Sequence, residues 1–470
     1  MCEAITEDGI ENQPVKLAKT VRETGQKCVK CDNPGILITR IDDSFCKDCF
    51  QIYVIHKFRA AIGKTKLIRC GEQVIVAFSG GANSAALLHL IEHGKSERAH
   101  RKLRFVPTLI HVDECGILDI TPDERKANRC QVIDLMKASG FPAYLTCLEQ
   151  VLVMGGDETS SSVKHQPTDH PLARDVTEPQ VWMVKPDSDG TDMPLPSTSQ
   201  TERLKTLVNK IASLTGAQDL VRQLRNQLLV ATARNLCITK VLTAESSTRM
   251  AVEILADVAQ GRGSQVSLNT GFSDTRNGDV MIIRPVRDLN SKDLAMFNKL
   301  FNVKSVFIPT KASKTSLSST IEKLTETFVM GLQADFPSTV SNIKRTSEKL
   351  GLANTETCPK CCLCMSPLDT RTGPSSALKA IEFSQKMSRS HPTEKKPTGG
   401  GDNCCRDKGD NSFQNNLMDC LCYGCRLSLH NYGDDLRRLP TFVRQRAVHM
   451  TQLDDIKQHI SDFLLDEDNR

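Results

Sequence analysis

The stretch Val74-Ile-Val-Ala-Phe-Ser-Gly-Gly-Ala-Asn-Ser-Ala85 decides the fold of this chain. Its first five residues are apolar and predict a buried parallel strand. Paired glycines then break the strand, and a helix with a serine near its N-cap follows. Glycines let the backbone approach a ligand, and the N–H groups at the start of a helix suit phosphate oxygens. The candidate nucleotide-binding residues are Ser79, Gly80, Gly81, Asn83 and Ser84.

The glycine motif by itself leaves two interpretations open. It lacks a following lysine, which excludes the GxxxxGK(S/T) loop of mononucleotide-binding NTPases. A tight strand-to-helix turn that holds no ligand is the alternative to a nucleotide site.

Strand and helix patterns alternate on the C-terminal side of this stretch. Strands are predicted there at 105–112, 143–148, 238–244 and 280–283, and helices at 123–138, 219–235, 248–260, 289–301, 316–332 and 337–350. A basic helix at 52–69 is predicted to precede the stretch. This alternation predicts an α/β fold with a doubly wound parallel sheet. Ligands of such sheets bind at the carboxyl ends of the strands, where the glycine turn lies.

Composition divides the 470 residues further. Two stretches rich in polar residues, Gly and Pro have few apolar side chains, and this composition predicts disordered insertions. The predicted segments are a flexible N-terminus at 1–27, an N-terminal metal lobe with a basic helix at 28–69, the α/β core at 70–310 with an insertion at 154–201, a helical segment at 311–357, a C-terminal metal lobe at 358–430 with an insertion at 370–416, and a tail at 431–470.

Charge and hydropathy exclude some classes of protein. The 61 Lys and Arg residues nearly balance 56 Asp and Glu residues, which permits nucleic-acid binding without arguing for it. The N-terminus is acidic and no apolar run reaches membrane-spanning length, so neither a secretory signal nor a membrane partner is expected. Nineteen cysteines in such a chain indicate metal binding or thiol chemistry rather than disulfides.

Two pairs of CxxC motifs predict two structural zinc sites, because each CxxC turn directs two thiolates toward one point. The predicted ligands are Cys28, Cys31, Cys46 and Cys49 in the N-terminal lobe and Cys361, Cys364, Cys422 and Cys425 in the C-terminal lobe. In the second site, Cys358 is an alternative to Cys361 or Cys364. A set of reduced, unligated thiols is the alternative to that site as a whole.

These modules in this order resemble the PP-loop tRNA thiolation proteins of the adenine nucleotide alpha hydrolase-like group. Within that group the chain is similar to the second subunit of the cytosolic wobble-uridine thiolation complex. The resemblance runs from about Cys28 to the C-terminus, apart from the two insertions. It implies a heterodimer with a catalytic PP-loop subunit, and it implies a cytoplasmic location.

The resemblance also implies a chemistry. The catalytic subunit binds ATP and adenylates the C2 oxygen of the wobble uridine in the tRNAs for lysine, glutamine and glutamate. A sulfur nucleophile then displaces AMP, and the sulfur arrives as a thiocarboxylate on a ubiquitin-like carrier. Two basic clusters are candidate tRNA contacts, with a solvated surface as the alternative. They comprise Lys57, Arg59, Lys64 and Lys66, and Arg437, Arg438, Arg444 and Arg446.

Three departures from the catalytic pattern decide the expected role. Active members read Ser-Gly-Gly-x-Asp-Ser in the loop, and Asn83 replaces the aspartate that could hold a magnesium ion. Active members carry Gly-His-Asn-x-Asp-Asp after the fourth strand, where residues 244–249 read Ala-Glu-Ser-Ser-Thr-Arg. Active members have a CxxC before the preceding helix, whereas residues 215–224 contain no cysteine. We therefore expect no catalytic residues and a non-catalytic partner.

Two other functions stay open at the level of sequence. One is an ATP-dependent, tRNA-adenylating sulfurtransferase, because a glycine loop binds phosphates through backbone N–H groups that survive side-chain changes. ATP binding by the altered loop is therefore also left open. The other is a zinc-ribbon nucleic-acid-binding adaptor, against which the predicted α/β core argues.

Overall fold

The computed structural model describes residues 27–39, 43–97, 99, 101–155, 178–185, 193–311, 313, 316, 319–350, 358–368, 384, 417–429, 432 and 438–460. The strands are β1 (Leu37–Ile38), β2 (Ser44–Phe45), β3 (Gln73–Ala77), β4 (Val106–Asp113), β5 (Ala143–Cys147), β6 (Trp182–Met183), β7 (Lys240–Leu242), β8 (Ser273–Asp274) and β9 (Met281–Ile283). The helices are α1 (Lys47–Thr65), α2 (Ala82–Lys95), α3 (Pro122–Ala138), α4 (Thr198–Asn209), α5 (Leu214–Asn235), α6 (Ser247–Ala259), α7 (Val266–Thr270), α8 (Ser291–Leu300), α9 (Ile321–Asp335), α10 (Thr339–Lys349), α11 (Tyr423–Leu429) and α12 (Thr441–Ile460).

A seven-stranded sheet in the order β6-β5-β4-β3-β7-β9-β8 forms the centre of the fold. The five inner strands are parallel, and the edge strands β6 and β8 are antiparallel to their neighbours. Ile75 is opposite Thr108 of β4 on one side and Val241 of β7 on the other. Strand order therefore reverses beside β3, so the glycine turn lies where α/β sheets commonly bind ligands.

Helices cover both faces of this sheet, as the alternation of side chains along β3 requires. Val74 and Val76 belong to a core cluster that includes apolar residues of α2, α3 and α8. Ile75 belongs to the opposite layer, together with Leu229 and Val230 of α5. The predicted doubly wound α/β fold is confirmed.

Several boundaries differ from the prediction. Helix α1 begins at Lys47, directly after Cys46, rather than at Ile52. Two elements fall inside the range expected to be an insertion: β6 pairs with β5, and α4 begins at Thr198. Trp182 and Val184 pack into the core there, so this part of the range supplies an edge strand. Positions 156–177 and 186–192, and most of the second predicted insertion, lie outside the described residues.

The two cysteine lobes pack on different parts of the core. The N-terminal lobe shares the cluster of α2 and α8 through Phe45, Phe50 and Val54. The C-terminal lobe shares a separate cluster with α4 and α5. Among the helices of the described residues, none is long and apolar enough to cross a membrane.

Candidate functional site

The glycine turn is fixed by the close packing of Gly80 against α3. Gly80 has a φ of 81°, in the left-handed region, and a Cβ there would lie 3.1 Å from Cγ2 of Val132. The N–H of Phe78 donates to the carbonyl of Ile110 at 2.8 Å and holds the turn at the carboxyl edge of the sheet. Only glycine satisfies both the backbone angle and the close contact.

Both hydroxyl groups of the turn bond within it. Oγ of Ser79 lies 3.1 Å from Oγ of Ser84, which donates to the carbonyl of Gly81 at 2.9 Å. The helix begins two residues earlier than predicted, so Gly81 rather than a serine is its N-cap. Ser84 is buried and Ser79 is exposed, so Ser79 is the hydroxyl that solvent can reach.

A segment that follows α8 crosses the turn. The N–H of Val306 donates to the carbonyl of Gly80, and the side-chain amide of Asn298 donates to the carbonyl of Ala82, both at 2.8 Å. Asn83, the next residue after Ala82, is half-buried and carries an uncharged amide. The turn thus has the glycine geometry of a phosphate loop but no carboxylate for a metal ion.

The turn after β7 acts as a structural junction. Ser246 is the N-cap of α6, and its Oγ lies 2.6 Å from Oγ of Ser291. Oγ of Ser247 donates to the carbonyl of Leu289 at 3.1 Å. The N–H of Ser291 donates to Oγ1 of Thr248 at 3.2 Å. The three hydroxyl residues therefore join the N-terminal ends of α6 and α8.

Arg249, the last residue of this turn, is an ion-pair donor. Its guanidinium contacts Glu322 of α9 and lies 3.4 Å from Glu253. Burial opposes its charge, but these carboxylates raise the pKa of Arg249. Residues 244–249 thus offer no pair of carboxylates to a ligand.

Residues 215–224, where a CxxC pair was expected in a catalytic relative, carry a buried ion-pair network instead. Asp219 contacts Arg262 and accepts from Oγ of Ser428 at 2.8 Å. Arg222 lies 2.7 Å from Asp257 of α6. Burial raises the pKa of Asp219, but Arg262 and Arg222 outweigh it and hold that pKa below its usual value. Asp219 and Arg222 also line a small cavity between α5 and α6.

A second buried network at the carboxyl ends of β4 and β5 was missed by sequence reasoning. The guanidinium of Arg125 donates to Asp113 at 2.8 Å and to both oxygens of Glu149 at 2.7 and 3.1 Å. A Cβ at Gly116 would lie 2.1 Å from Oε1 of Glu149, so glycine makes room for the pair. The available signal was an acidic residue at or just beyond the end of each of two buried strands.

The N-terminal cysteines meet as predicted. The sulfur atoms of Cys28, Cys31, Cys46 and Cys49 all lie within 4.8 Å of one another. The sulfur of Cys31 is 3.6 Å from those of Cys46 and Cys49. A metal ion about 2.3 Å from each sulfur in a tetrahedron requires sulfur atoms about 3.8 Å apart. The geometry therefore fits a single tetrahedral ion.

The C-terminal cysteines form a second such group. The sulfur atoms of Cys361, Cys364, Cys422 and Cys425 lie within 4.8 Å of one another, and all four residues are buried. Cys364 and Cys422 are 3.6 Å apart. The group that the structure brings together contains Cys361 and Cys364 and does not include Cys358. Cys404 and Cys405 lie outside the described residues.

Both cysteine groups are built in the same way. Each first CxxC stands in a Lys-Cys-x-x-Cys-x-x-Pro segment that is closed by a bridge, Lys27 with Pro34 and Lys360 with Pro367. Each second CxxC begins a helix, α1 after Cys46 and α11 after Cys422. Helix N-termini carry partial positive charge, which stabilises thiolates. At Cys28 burial raises the pKa, but backbone N–H groups outweigh it and lower that pKa to about 6.

A buried arginine, Arg262, and a half-buried one, Arg446, lie beside the C-terminal group. Nη1 of Arg262 lies 3.9 Å from the sulfur of Cys422. Arg446 of α12 donates to the carbonyl of Cys362 at 3.3 Å. Four thiolates around a divalent ion leave a net charge of about −2, and these cations offset it within the core.

In the first basic cluster, two residues bond within the chain and two are exposed. Nζ of Lys57 donates to the carbonyl of Asp288 at 2.9 Å, and Arg59 donates to the carbonyl of Arg101. Lys64 and Lys66 are exposed at the end of α1. The end of this helix is the part of the cluster that an external phosphate can reach.

The residues of the second basic cluster also differ in exposure and in their contacts within the chain. Arg446 donates to Gln227 at 2.9 Å and lies 4.9 Å above the ring of Phe442, and burial lowers its pKa to about 10. Arg444 is half-buried and Arg438 is exposed. Arg437 lies outside the described residues. Arg446 is therefore engaged within the chain.

Comparisons with known proteins give a consistent family. A family model described as cytoplasmic tRNA 2-thiolation protein 2 matches residues 320–427. Cytoplasmic tRNA 2-thiolation protein 2 of Xenopus tropicalis is 36% identical over 495 residues, with 95% of this chain and 96% of that protein covered. The protein of the same name from Danio rerio is 35% identical, with 100% of each chain covered.

Among solved structures, the chain is similar to the U34-tRNA thiolase from Methanococcus maripaludis with its 4Fe-4S cluster. The sequence identity is 15% and the TM-score is 0.48, with 69% of this chain and 87% of that chain covered.

Proposed function

This chain belongs to the cytoplasmic tRNA 2-thiolation protein 2 family, and we propose on that premise that it is the non-catalytic subunit of a cytoplasmic tRNA 2-thiolation complex. Its partner in a heterodimer is a catalytic PP-loop subunit. The complex thiolates the wobble uridine of the tRNAs for lysine, glutamate and glutamine. A ubiquitin-like carrier supplies the sulfur as a thiocarboxylate.

The junction after β7 carries the non-catalytic assignment. Ser246 and Thr248 bond to Ser291 of α8, and Arg249 pairs with Glu322 of α9. Side chains at the positions of the expected catalytic acids thus bind neighbouring helices. Asn83, in the glycine turn, is uncharged where catalytic relatives carry an aspartate. A scaffold function explains why the core keeps its full size while these positions serve its packing.

An exposed apolar surface on α9 supports association with a protein partner. Leu324 and Phe328 are four residues apart in α9 and are 56% and 57% exposed. Such spacing places side chains on one side of a helix. The opposite side packs on α6 through the buried Val329. A contiguous apolar surface of this kind is typical of protein interfaces.

Two structural zinc ions fit the cysteine groups. All eight ligands are sulfur atoms, and the sulfur distances suit one tetrahedral ion in each group. A four-thiolate site leaves no open position, so its contribution is to folding. The ions would stabilise the two lobes, each of which packs on its own part of the core. No step of the reaction would take place at the metal.

The test is reconstitution from separately purified subunits. We expect thiolated tRNA, measured by mass spectrometry of digested nucleosides, only when both subunits, the loaded carrier and ATP are present. Thiolation by the partner alone at the full rate would contradict the proposal. Leu324→Asp with Phe328→Asp should abolish co-purification of the partner. The matched control is Val448→Asp, which changes an exposed apolar residue of α12.

One observation favours the second candidate, an ATP-dependent sulfurtransferase. Gly80 keeps its positive φ and Ser79 stays exposed, so part of a phosphate loop is preserved. ATP-dependent thiolation of tRNA by this chain without a partner would establish that function instead.

A further inference from the structure

Phe307 is the most exposed large apolar side chain among the described residues, at 80%. It lies in the segment that crosses the glycine turn at the carboxyl edge of the sheet. An aromatic ring in open solvent has an unfavourable hydration free energy, and aromatic rings in this setting commonly serve as binding surfaces. The position of the ring makes it a candidate contact for a ligand of this edge.

The backbone on both sides of Phe307 is anchored. The N–H of Val306 donates to the carbonyl of Gly80 at 2.8 Å. Ile308 is half-buried and packs against the cluster that contains α2 and α8. Val306 and Ile308 are half-buried while Phe307 between them is exposed, so the ring lies on the outer side of a backbone that its neighbours hold. The exposed ring is therefore presented from a fixed backbone.

Exposed lysines occur close to Phe307 in sequence and on the elements around its segment. Lys304 is exposed three residues before Phe307, and Lys299 is exposed in the last turn of α8. Lys47, also exposed, has its Nζ 5.4 Å from the ring centre of Phe301. These residues place positive charges at the end of α8, in the segment that carries Phe307 and at the start of α1.

Helix α1 extends this basic surface along α8. Lys47, at the start of α1, contacts Phe301 just beyond the end of α8. Lys57, ten residues later, donates to the carbonyl of Asp288 just before the start of α8. The two helices therefore run antiparallel, and Lys47 is the end of α1 that lies toward Phe307.

We propose that Phe307 stacks on an unpaired base of tRNA, while Lys47, Lys299 and Lys304 contact its phosphates. An aromatic ring among basic residues is the usual arrangement for single-stranded RNA. Lysine is depleted in the cores of protein interfaces, so this surface suits RNA better than a protein. The inference rests on the proposed function and adds the place and chemistry of one tRNA contact.

The test uses the complete heterodimer and two fluorescent RNAs with equal numbers of phosphates. One is an anticodon stem-loop with an unpaired loop, and the other is a fully paired duplex. Phe307→Ala should weaken binding of the stem-loop by about 5- to 100-fold, the range of base stacking on an aromatic residue. Duplex affinity should stay within about twofold, because its bases are already stacked.

Conservative variants separate stacking from general apolar contact. Phe307→Trp should keep stem-loop affinity, whereas Phe307→Leu should lose it. The control is Tyr423→Ala, at an exposed ring of α11, which should change neither RNA affinity nor partner binding.

Three results would overturn the inference. They are unchanged stem-loop binding by Phe307→Ala, equal binding by the Leu and Trp variants, or loss of the partner subunit from the Ala variant. The last result would assign Phe307 to a protein interface. A wild-type complex that binds neither RNA would instead contradict the proposed function itself.

Discussion

Nη2 of Arg262 lies 3.5 Å from the sulfur of Cys425. The same guanidinium contacts Asp219 of α5, so one buried side chain joins the C-terminal metal group to the core. Arg262 is 1% exposed, and its burial lowers its pKa while Asp219 and the cysteines together raise it well above the usual value. The arginine is therefore charged inside the protein, and the metal group depends on it for charge balance.

Replacing Arg262 with Met should destabilise the protein by about 3 kcal/mol, because it removes one of the two arginines that pair with the buried Asp219. The measurement is the free energy of unfolding in denaturant. Arg234→Met is the matched control, since Arg234 pairs with Asp279 at the surface and their side chains are 40% and 45% exposed. It should cost under about 1 kcal/mol. Equal losses of unfolding free energy in the two variants would show that the buried ion pair stabilises the protein no more than the surface ion pair.

Asp219 should give stability a defined pH dependence. Its pKa in the folded chain is lowered, so its ionised form stabilises the fold above the pKa of an unfolded Asp, about 3.9. That contribution is lost as pH falls through the folded pKa. The destabilisation of Asp219→Asn relative to wild type should thus be constant from about pH 8 to pH 5 and shrink below about pH 4. A difference that shrinks above pH 5 would contradict this, with metal content checked at each pH.

The purified chain should carry two zinc ions and lose them in two phases. Cys31 and Cys49 are half-buried, whereas the four C-terminal ligands are buried. A chelator should therefore remove the N-terminal ion first. Cys28→Ser with Cys31→Ser should abolish the fast phase and unfold the N-terminal lobe, since structural zinc supplies on the order of 10 kcal/mol. Plasma mass spectrometry and a colorimetric zinc indicator would measure both, and metal content well below one ion per chain would refute the assignment.

Restoring acidic residues should not create activity. The test is the triple variant Asn83→Asp, Thr248→Asp, Arg249→Asp. Its first change adds a carboxylate to the glycine turn. The third removes the cation that holds Glu322 and Glu253. We expect no pyrophosphate release from ATP by the triple variant alone and a lower unfolding free energy. Ser246→Ala, which removes the cap of α6 and the hydrogen bond to Ser291, should cost about 1–2 kcal/mol. ATP-dependent turnover by the triple variant would show that the scaffold had kept a catalytic site.

The exposed and half-buried parts of the basic clusters should determine the salt dependence of tRNA binding. Changing Lys64, Lys66, Arg438 and Arg444 to Gln should weaken binding and reduce the slope of log affinity against log salt by roughly 0.7–0.9 for each phosphate that is no longer neutralised. Arg446→Gln is the contrasting variant, because Arg446 bonds within the chain. It should lower stability and leave the slope unchanged. An unaltered slope in the fourfold variant would assign these residues to a solvated surface.

The sequence was sufficient for the parts of the fold that repeat a simple pattern. Val74 to Phe78 predicted β3 because five apolar residues before paired glycines have few other structures available. The cysteine spacing predicted both metal groups. In contrast, β6 is only two residues long and lies in a polar stretch, so no alternation of apolar and polar residues predicts it. Its pairing with β5 is set by tertiary contact.

The long-range contacts of the site were beyond sequence reasoning. Ser246 and Ser291 are 45 positions apart, and only the folded chain brings their hydroxyls together. Arg446 looked like a surface charge because it lies among other arginines. Its burial depends on α12 packing over the C-terminal lobe, which composition does not encode. The sequence therefore shows that the expected catalytic residues are replaced. Only the structure shows which neighbouring helices the replacing side chains contact.

The C-terminal lobe completes the apolar cluster of α4 and α5, since Cys361, Leu421 and Val443 belong to the same buried cluster as Leu220 and Leu224. During synthesis the ribosome makes α5 well before these covering residues emerge. One side of the nascent core must then remain open until nearly the whole chain has been translated. A premature stop codon after α10 would release a polypeptide with an uncovered apolar helix, which is a substrate for chaperones and proteases.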